Sequence, residues 1–253
     1  AADPRARVLI GGLLLDCDPA NPPAGKDCKP ARFLEGILRN GGGPYFDIVS
    51  FHGYPPYSSA LRLQWDEHFP PWEHRGGVVL GKIDFLREVM ATYGVNKQII
   101  HTEGSLICPE GNKLDCDPPG TDFYEAQADY VVWLFVRNWA EGLLGTVWYT
   151  FEGPGWRYGS LLDANQQPKP AWYALDFLAE ELHNAYYQAP VTQYPALQGY
   201  EFSVSGKRVW VLWAPDEQPK TITLPAAVTR VYDKYGNVIT PAGGTLAVSS
   251  PVY

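Results

Sequence analysis

The apolar positions of this chain follow two rhythms. Up to about residue 188, unbroken apolar runs alternate with stretches at helical spacing. The runs are 7–15 (RVLIGGLLL), 46–52 (FDIVSFH), 98–106 (QIIHTEGSL) and 145–151 (GTVWYTF). Segments this apolar and this short predict strands buried on both faces. Between them, 31–40 spaces Phe33, Leu34, Ile37 and Leu38 as a helix would and stops at Gly41-Gly42-Gly43. Residues 78–93 put Ile83, Leu86, Val89 and Met90 on one side of a helix closed by Gly94. Residues 123–144 contain a long helix that is hydrophobic almost all round, and Pro168-Lys169-Pro170 introduces a last helix from 171 to about 184. Four such alternations predict βαβ units and a parallel sheet.

After Ala189-Pro190 the rhythm shortens. Residues 201–204, 208–213, 220–224, 229–233, 237–240 and 245–252 look like short strands between turns rich in Gly, Pro, Asp and Asn. The expected organisation is therefore an α/β unit over 1–188 and a small antiparallel β domain over 189–253.

Composition narrows the partners. A net charge of -8 over 253 residues opposes binding to a nucleic-acid backbone. The longest apolar run, 8–15, is too short to span a membrane. Nine tryptophans and sixteen tyrosines suit sugar rings, although most are expected to fill the core. Cys17 and Cys28 share one polar loop and Cys108 and Cys116 another, so two local disulfides are favoured among the three connectivities. Zinc is the alternative, but no CxxC spacing or neighbouring His supports it. Disulfides imply a secreted or extracytoplasmic protein. The chain opens on Ala-Ala-Asp without Met, so a leader or something larger is expected upstream. No phosphate loop, dinucleotide fingerprint or Gly-x-Ser-x-Gly element is present, and no cofactor or metal is expected. His68, Glu73 and His74 read as a solvated loop rather than a metal site.

The candidate chemistry centres on Glu103. It follows two apolar residues and His101-Thr102, and Gly104 frees the chain to turn behind it, which places a carboxylate at the carboxyl end of a buried parallel strand. Ligands of parallel α/β folds sit beyond such ends.

With the fourth strand in view, the order of motifs resembles the carboxyl-terminal half of a clan-A glycoside hydrolase, a (β/α)8 barrel, of the family 39 β-xylosidase/iduronidase type. The matching pieces are Gly11-Gly12 after the first run (that barrel's fifth strand) and Phe46-Asp47-Ile48-Val49-Ser50-Phe51-His52-Gly53-Tyr54 (sixth). The helix Lys82-Ile83-Asp84-Phe85-Leu86-Arg87 then leads to Ile100-His101-Thr102-Glu103 (seventh). Trp148-Tyr149-Thr150-Phe151 and Lys169-Pro170-Ala171-Trp172-Tyr173-Ala174 supply the eighth strand and helix. The resemblance implies a half TIM barrel of four β/α units, strands 5–8, with a trailing β domain. It makes Glu103 the nucleophile of a retaining mechanism and gives His52 and Tyr54 the adjacent sugar subsite. Tyr149, with Trp148 as the alternative, becomes the subsite floor, where Trp is the family norm. Trp156, like Trp65 and Trp72, lies in a loop on the carboxyl side of the sheet, where it can stack on a sugar or cover a surface.

The family's acid/base belongs to an Asn-Glu pair ending the fourth strand, and this chain has no Asn-Glu dipeptide. A retaining site needs two carboxyl groups about 5 Å apart, so the resemblance implies a second contributor. Two copies about a two-fold axis could close an eight-stranded ring, each last strand pairing with the other's first. Glu152 of the second copy would then stand near the acid/base position. A separate amino-terminal half is the alternative. Asp47 and Asp163 read as turn partners. Two function classes follow: a β-glycosidase-type enzyme acting on carbohydrate, and a non-catalytic carbohydrate-binding or assembly protein of the same descent.

Overall fold

The computed structural model describes residue 3, residues 5–109, residue 116 and residues 118–253. β1 (Leu9–Leu13) leads through the first cysteine loop into α1 (Phe33–Arg39) and β2 (Ile48–Gly53). A loop carrying the single turn α2 (Trp65–His68) precedes α3 (Val78–Thr92) and β3 (Gln98–Gly104). α4 (Thr121–Ala140), β4 (Thr146–Trp148) and α5 (Pro170–Glu181) complete the alternation. The strands form one parallel sheet in the order β1-β2-β3-β4, as the alternating runs predict. Both disulfides, Cys17–Cys28 and Cys108–Cys116, are the local ones.

Side-chain alternation sorts the two faces of that sheet. Val49, Phe51, Ile99 and Trp148 enter the main core with Leu34 and Leu38 of α1, Ile83 and Leu86 of α3, and Val132 and Val136 of α4. The opposite face carries Leu9, Ile48, Ser50, Ile100 and Val147. Among the described residues this face is open at both edge strands: Leu9 is 41% exposed and Val147 49%. Val8, Leu14 and Leu144 lie exposed beside them.

The β part differs from its sequence pattern in specific places. β5 (Tyr186–Pro190), β6 (Gln198–Val204) and β7 (Lys207–Trp213) form a three-stranded antiparallel sheet, and β8 (Lys220–Thr223) pairs with β9 (Thr245–Val248). β5 is not among the expected strands, because Ala189-Pro190 reads as a break. Proline fits there since β5 is an edge strand and Pro190 needs no outward N–H. Residues 229–233 and 237–240 are not strands and make only isolated bridges, Tyr232 with Val238 and Asp233 with Val252. The Asp233 carboxylate accepts from the backbone N–H groups of Tyr235 and Asn237, and that local turn competes with a ladder. β9 stops at Val248 ahead of Ser249-Ser250-Pro251, and β4 keeps only three of the seven residues in its run.

This β part packs on α4. Trp133 stacks on Trp213 at 5.5 Å, and Trp213 on Tyr200 at 5.4 Å. Arg137 lies over both indoles and donates to Gln198 Oε1 at 2.7 Å. Lys234 donates to Asp129 at 2.7 Å in a buried ion pair that also receives the Ser250 hydroxyl.

Candidate active site

The strand ends are irregular where the expected chemistry lies. Pairing slips between Ile10 and Leu13 on β1, between Phe51 and His52 on β2, and between His101 and Gly104 on β3. Bulges re-aim side chains, and here the slip brings His52 into register with Glu103. His52 Nδ1 lies 3.2 Å from Glu103 Oε2, and the Tyr54 hydroxyl donates to the same oxygen at 2.6 Å. Both contacts fall on Oε2, and among the described residues none falls on Oε1.

Three glycines make this packing possible. A Cβ on Gly12 would stand 1.7 Å from His52 Nε2, so only glycine admits the imidazole. A Cβ on Gly104 would lie 2.4 Å from the His101 ring, and one on Gly53 would lie 3.0 Å from it. His101 is fully buried, stacked on Phe51 at 4.5 Å, and it lies under the bulge that presents Glu103. Asn138 Nδ2 is 3.0 Å from His101 Nδ1 and 3.0 Å from Thr146 Oγ1. If that amide donates to both, the His101 proton belongs on Nε2. Burial, reinforced by the Lys82 charge, pushes His101 down to about 3, so it stays neutral.

The reactive pair has its own electrostatics. Burial pushes His52 below its ordinary value; the Glu103 carboxylate opposes this and Lys82 adds to it. Tyr54 is raised far above the usual phenol range by burial and then by its bond to Glu103. It therefore remains a donor across the whole working range of pH.

Aromatic rings gather around Tyr54. Tyr54 meets Tyr149 edge-on at 6.1 Å and Trp156 at 5.1 Å. Tyr149 is 39% exposed and Trp156 48%. The Arg157 guanidinium lies over the Trp156 ring at 4.7 Å. Trp148 points the other way: it is buried, approaches Tyr130 at 6.4 Å and donates Nε1–H to the Gly159 carbonyl at 2.8 Å. Trp72 is likewise a core residue, its Nε1–H given to the Leu15 carbonyl at 3.2 Å. Glu152 is exposed beyond β4, where its carbonyl accepts from Thr150 Oγ1 at 2.8 Å. Asp163 holds a turn by accepting from the backbone N–H groups of Asn165 and Gln167, whereas Asp47 is not a turn partner: it accepts from the Val8 N–H, 39 residues away, and ties the start of β1 to the start of β2.

Lys82 is the neighbour that motif reading passes over. Its buried ammonium donates to the Leu14 carbonyl at 3.0 Å and the His52 carbonyl at 2.9 Å. The signal was present, since Lys82 occupies the apolar stripe of α3 between Val79 and Leu86.

No family model and no curated protein matches the sequence. Solved structures do. A family 39 glycoside hydrolase from the gut symbiont Bacteroides cellulosilyticus WH2 superposes with a TM-score of 0.58 at 20% identity, over 87% of this chain and 46% of that one. The chain has a glycoside hydrolase fold. A β-porphyranase of glycoside hydrolase family 86 from the human gut bacterium Bacteroides plebeius gives 0.62 at 12% identity, over 98% of this chain and 47% of that one. A conserved exported protein from Bacteroides fragilis gives 0.55 at 12% identity, over 97% and 54%. The chain thus spans about half the length of the structures it matches. Its four-stranded parallel sheet is consistent with half of an eight-stranded glycoside hydrolase barrel.

Proposed function

We propose that this glycoside hydrolase fold carries the nucleophile side of a retaining β-glycosidase site, completed across the open sheet face by a second barrel half. The observation that carries the reading is the Glu103 carboxylate. Oε2 is engaged by Tyr54 and His52, Oε1 has no partner among the described residues, and the exposed rings of Tyr149 and Trp156 meet Tyr54 edge-on. Aromatic faces hold the apolar faces of sugar rings, while the carboxylate addresses the anomeric carbon.

In the reaction, Glu103 Oε1 forms a bond to the anomeric carbon as the glycosidic C–O bond breaks. The leaving oxygen takes a proton from a carboxylic acid on the opposite side. Water, deprotonated by that second carboxylate, then displaces Glu103 and releases the sugar. The acid must stand about 5 Å from Glu103. Glu152 of a second copy is the candidate within this sequence, and an amino-terminal barrel half is the other source. Two disulfides fit work outside the cytoplasm.

A mechanism-based 2-fluoroglycoside tests the assignment. Intact-mass and peptide analysis should find one sugar esterified to Glu103 in the assembled protein and none in Glu103→Gln. A label on another carboxylate would remove Glu103 from the nucleophile role. The three-ring frame also supports a non-catalytic reading, in which sugar is held and not cleaved. A sugar-dependent rise in Tm with no labelling and no hydrolysis would favour that second reading.

A further inference from the structure

Lys82 is a charged group with no surface role. It is 6% exposed, and both of its hydrogen bonds end on backbone carbonyls of different strands, Leu14 just past β1 and His52 near the end of β2. Each carbonyl follows a slip in the register, Leu14 after the one between Ile10 and Leu13 and His52 after the one between Phe51 and His52. A backbone carbonyl accepts from whatever donor reaches it, and Lys82 reaches up from α3 to donate to both of these. The Trp72 ring lies 5.9 Å from the ammonium.

The consequence reaches the carboxylate. Lys82 grips the main chain of His52, whose ring is walled on one side by Gly12 and meets Glu103 through Nδ1. The imidazole can turn little without moving one of these three contacts.

We propose that Lys82 is a positioning residue for the His52–Glu103 pair: its ammonium ties the ends of β1 and β2 together and fixes the imidazole against the carboxylate. The inference rests on the proposed site only for what the pair does; the clamp itself is a property of the fold.

The charged neighbours define the readout. Asp66 of α2 and Asp16 beyond β1 favour the Lys82 charge, while burial pushes its pKa down to about 7. His52 of β2 and His101 of β3 both feel that charge as a depression of their own pKa values. On His52 itself, burial acts first, Glu103 of β3 opposes it, and Lys82 of α3 reinforces it. Tyr54, the other group on Glu103, keeps its proton throughout. Below about pH 7 Lys82 is mostly charged.

The experiment is a histidine-selective NMR titration of the full chain, with the His52 resonances assigned by His52→Gln. In the wild type, His52 should titrate below about 6.5, the value of an unperturbed histidine. In Lys82→Met the midpoint should rise by about half a pH unit or more, roughly a threefold gain in proton affinity. Lys82→Arg, which restores the charge, should bring it back toward the wild type. Charge loss alone would act equally in Lys82→Met and in Lys82→Gln, which keeps an amide donor for the two carbonyls; a positioning lysine gives the two variants different His52 midpoints, and identical His52 titrations in folded Lys82→Met and Lys82→Gln overturn the proposal. Should Lys82→Met fail to fold, Lys82→Leu is compared with Lys82→Gln in its place. The titration reads an imidazole and not turnover. Failure of Glu103 to be labelled would sink the glycosidase reading and leave this coupling intact.

Discussion

Gly12 acts through the side chain it lacks. The His52 ring occupies the space where a Cβ would stand, 1.7 Å from Nε2. Gly12→Ala must therefore drive the ring off Glu103 or shift β1. Overpacking of this kind costs about 1–3 kcal/mol, and urea unfolding should show a loss of that size. Gly36→Ala is the matched control: it lies on the exposed side of α1 with nothing within 4 Å of a new Cβ. It should stabilise by about 0.5–1 kcal/mol through helix propensity. A neutral Gly12→Ala would mean that the ring is not wedged. Lys82 makes a second prediction. An unfolded lysine titrates near 10.4, whereas the buried one loses its proton at about 7. Between these values the unfolded chain binds the extra proton, so stability rises with pH across that window and is level for this group below it. Lys169, brought down to about 8 by burial, acts in the same direction over a narrower range. Resistance to urea should therefore climb from about pH 7 to about pH 9, and Lys82→Met should remove the larger share of the climb. The same two residues mark what the sequence leaves hidden. Glu103, His52 and Tyr54 are legible because they end apolar runs. Gly12 as a wall and Lys82 as a clamp depend on how two slipped strands lie beside each other, which no local pattern records.

The elements divide along a similar line. The parallel strands and their helices are legible because each buries an apolar face with its own period. α4 shows this best, being buried on nearly every side between the sheet, α5 and the β part. Legibility fails where one polar side chain captures the main chain. Asp233 binds two N–H groups of its own turn and leaves bridges where strands were expected. It fails again at β5, where Pro190 looks like a stop and is an edge residue. The Trp148 and Tyr149 pair shows the limit within a single element: neighbours on a strand face opposite ways, and the motif alone does not say which ring enters the core. The join between α4 and the β part also carries a prediction. Asp129 and Lys234 are both buried and 2.7 Å apart. Lys234→Met leaves a buried carboxyl with Ser250 as its remaining side-chain partner and should cost about 3–5 kcal/mol. The double change Asp129→Leu with Lys234→Met should recover most of that loss, because the charge left behind, that of Glu125, which also pairs with Lys234 at 2.9 Å, is 41% exposed and keeps its Tyr235 bond. Chemical denaturation of the three variants decides it, and a double mutant as weak as the single would show that the pair is worth more than its desolvation.

At the scale of the molecule, the sheet poses a problem that the chain as described does not solve. Helices pack on one face, while the other presents Leu9 and Val147 to solvent at its two edges, flanked by Val8 and Leu144. Parallel strands are rarely stable with one face wet, and among the described residues β1 and β4 have no strand on their outer sides. A two-fold axis running along the strands answers both needs. It leaves strand direction unchanged, sets β4 of one copy parallel to β1 of the next, and turns both open faces toward a shared interior. Such a contact should exceed the roughly 1,000 Å² expected of a specific interface. Light scattering of the purified chain should then give twice 28.2 kDa. Leu9→Lys with Val147→Lys, which places charges on both edges, should return the monomer mass while the helix signal in circular dichroism persists. The result also bears on the site. In the dimer Glu103 would face a second strand end, and loss of Glu103 labelling in the double-lysine variant would tie the chemistry to closure. A wild-type chain that stays monomeric at micromolar concentration would exclude the two-copy ring. The second carboxylate would then have to come from a barrel half of different sequence, and Glu152 would have no part in the reaction.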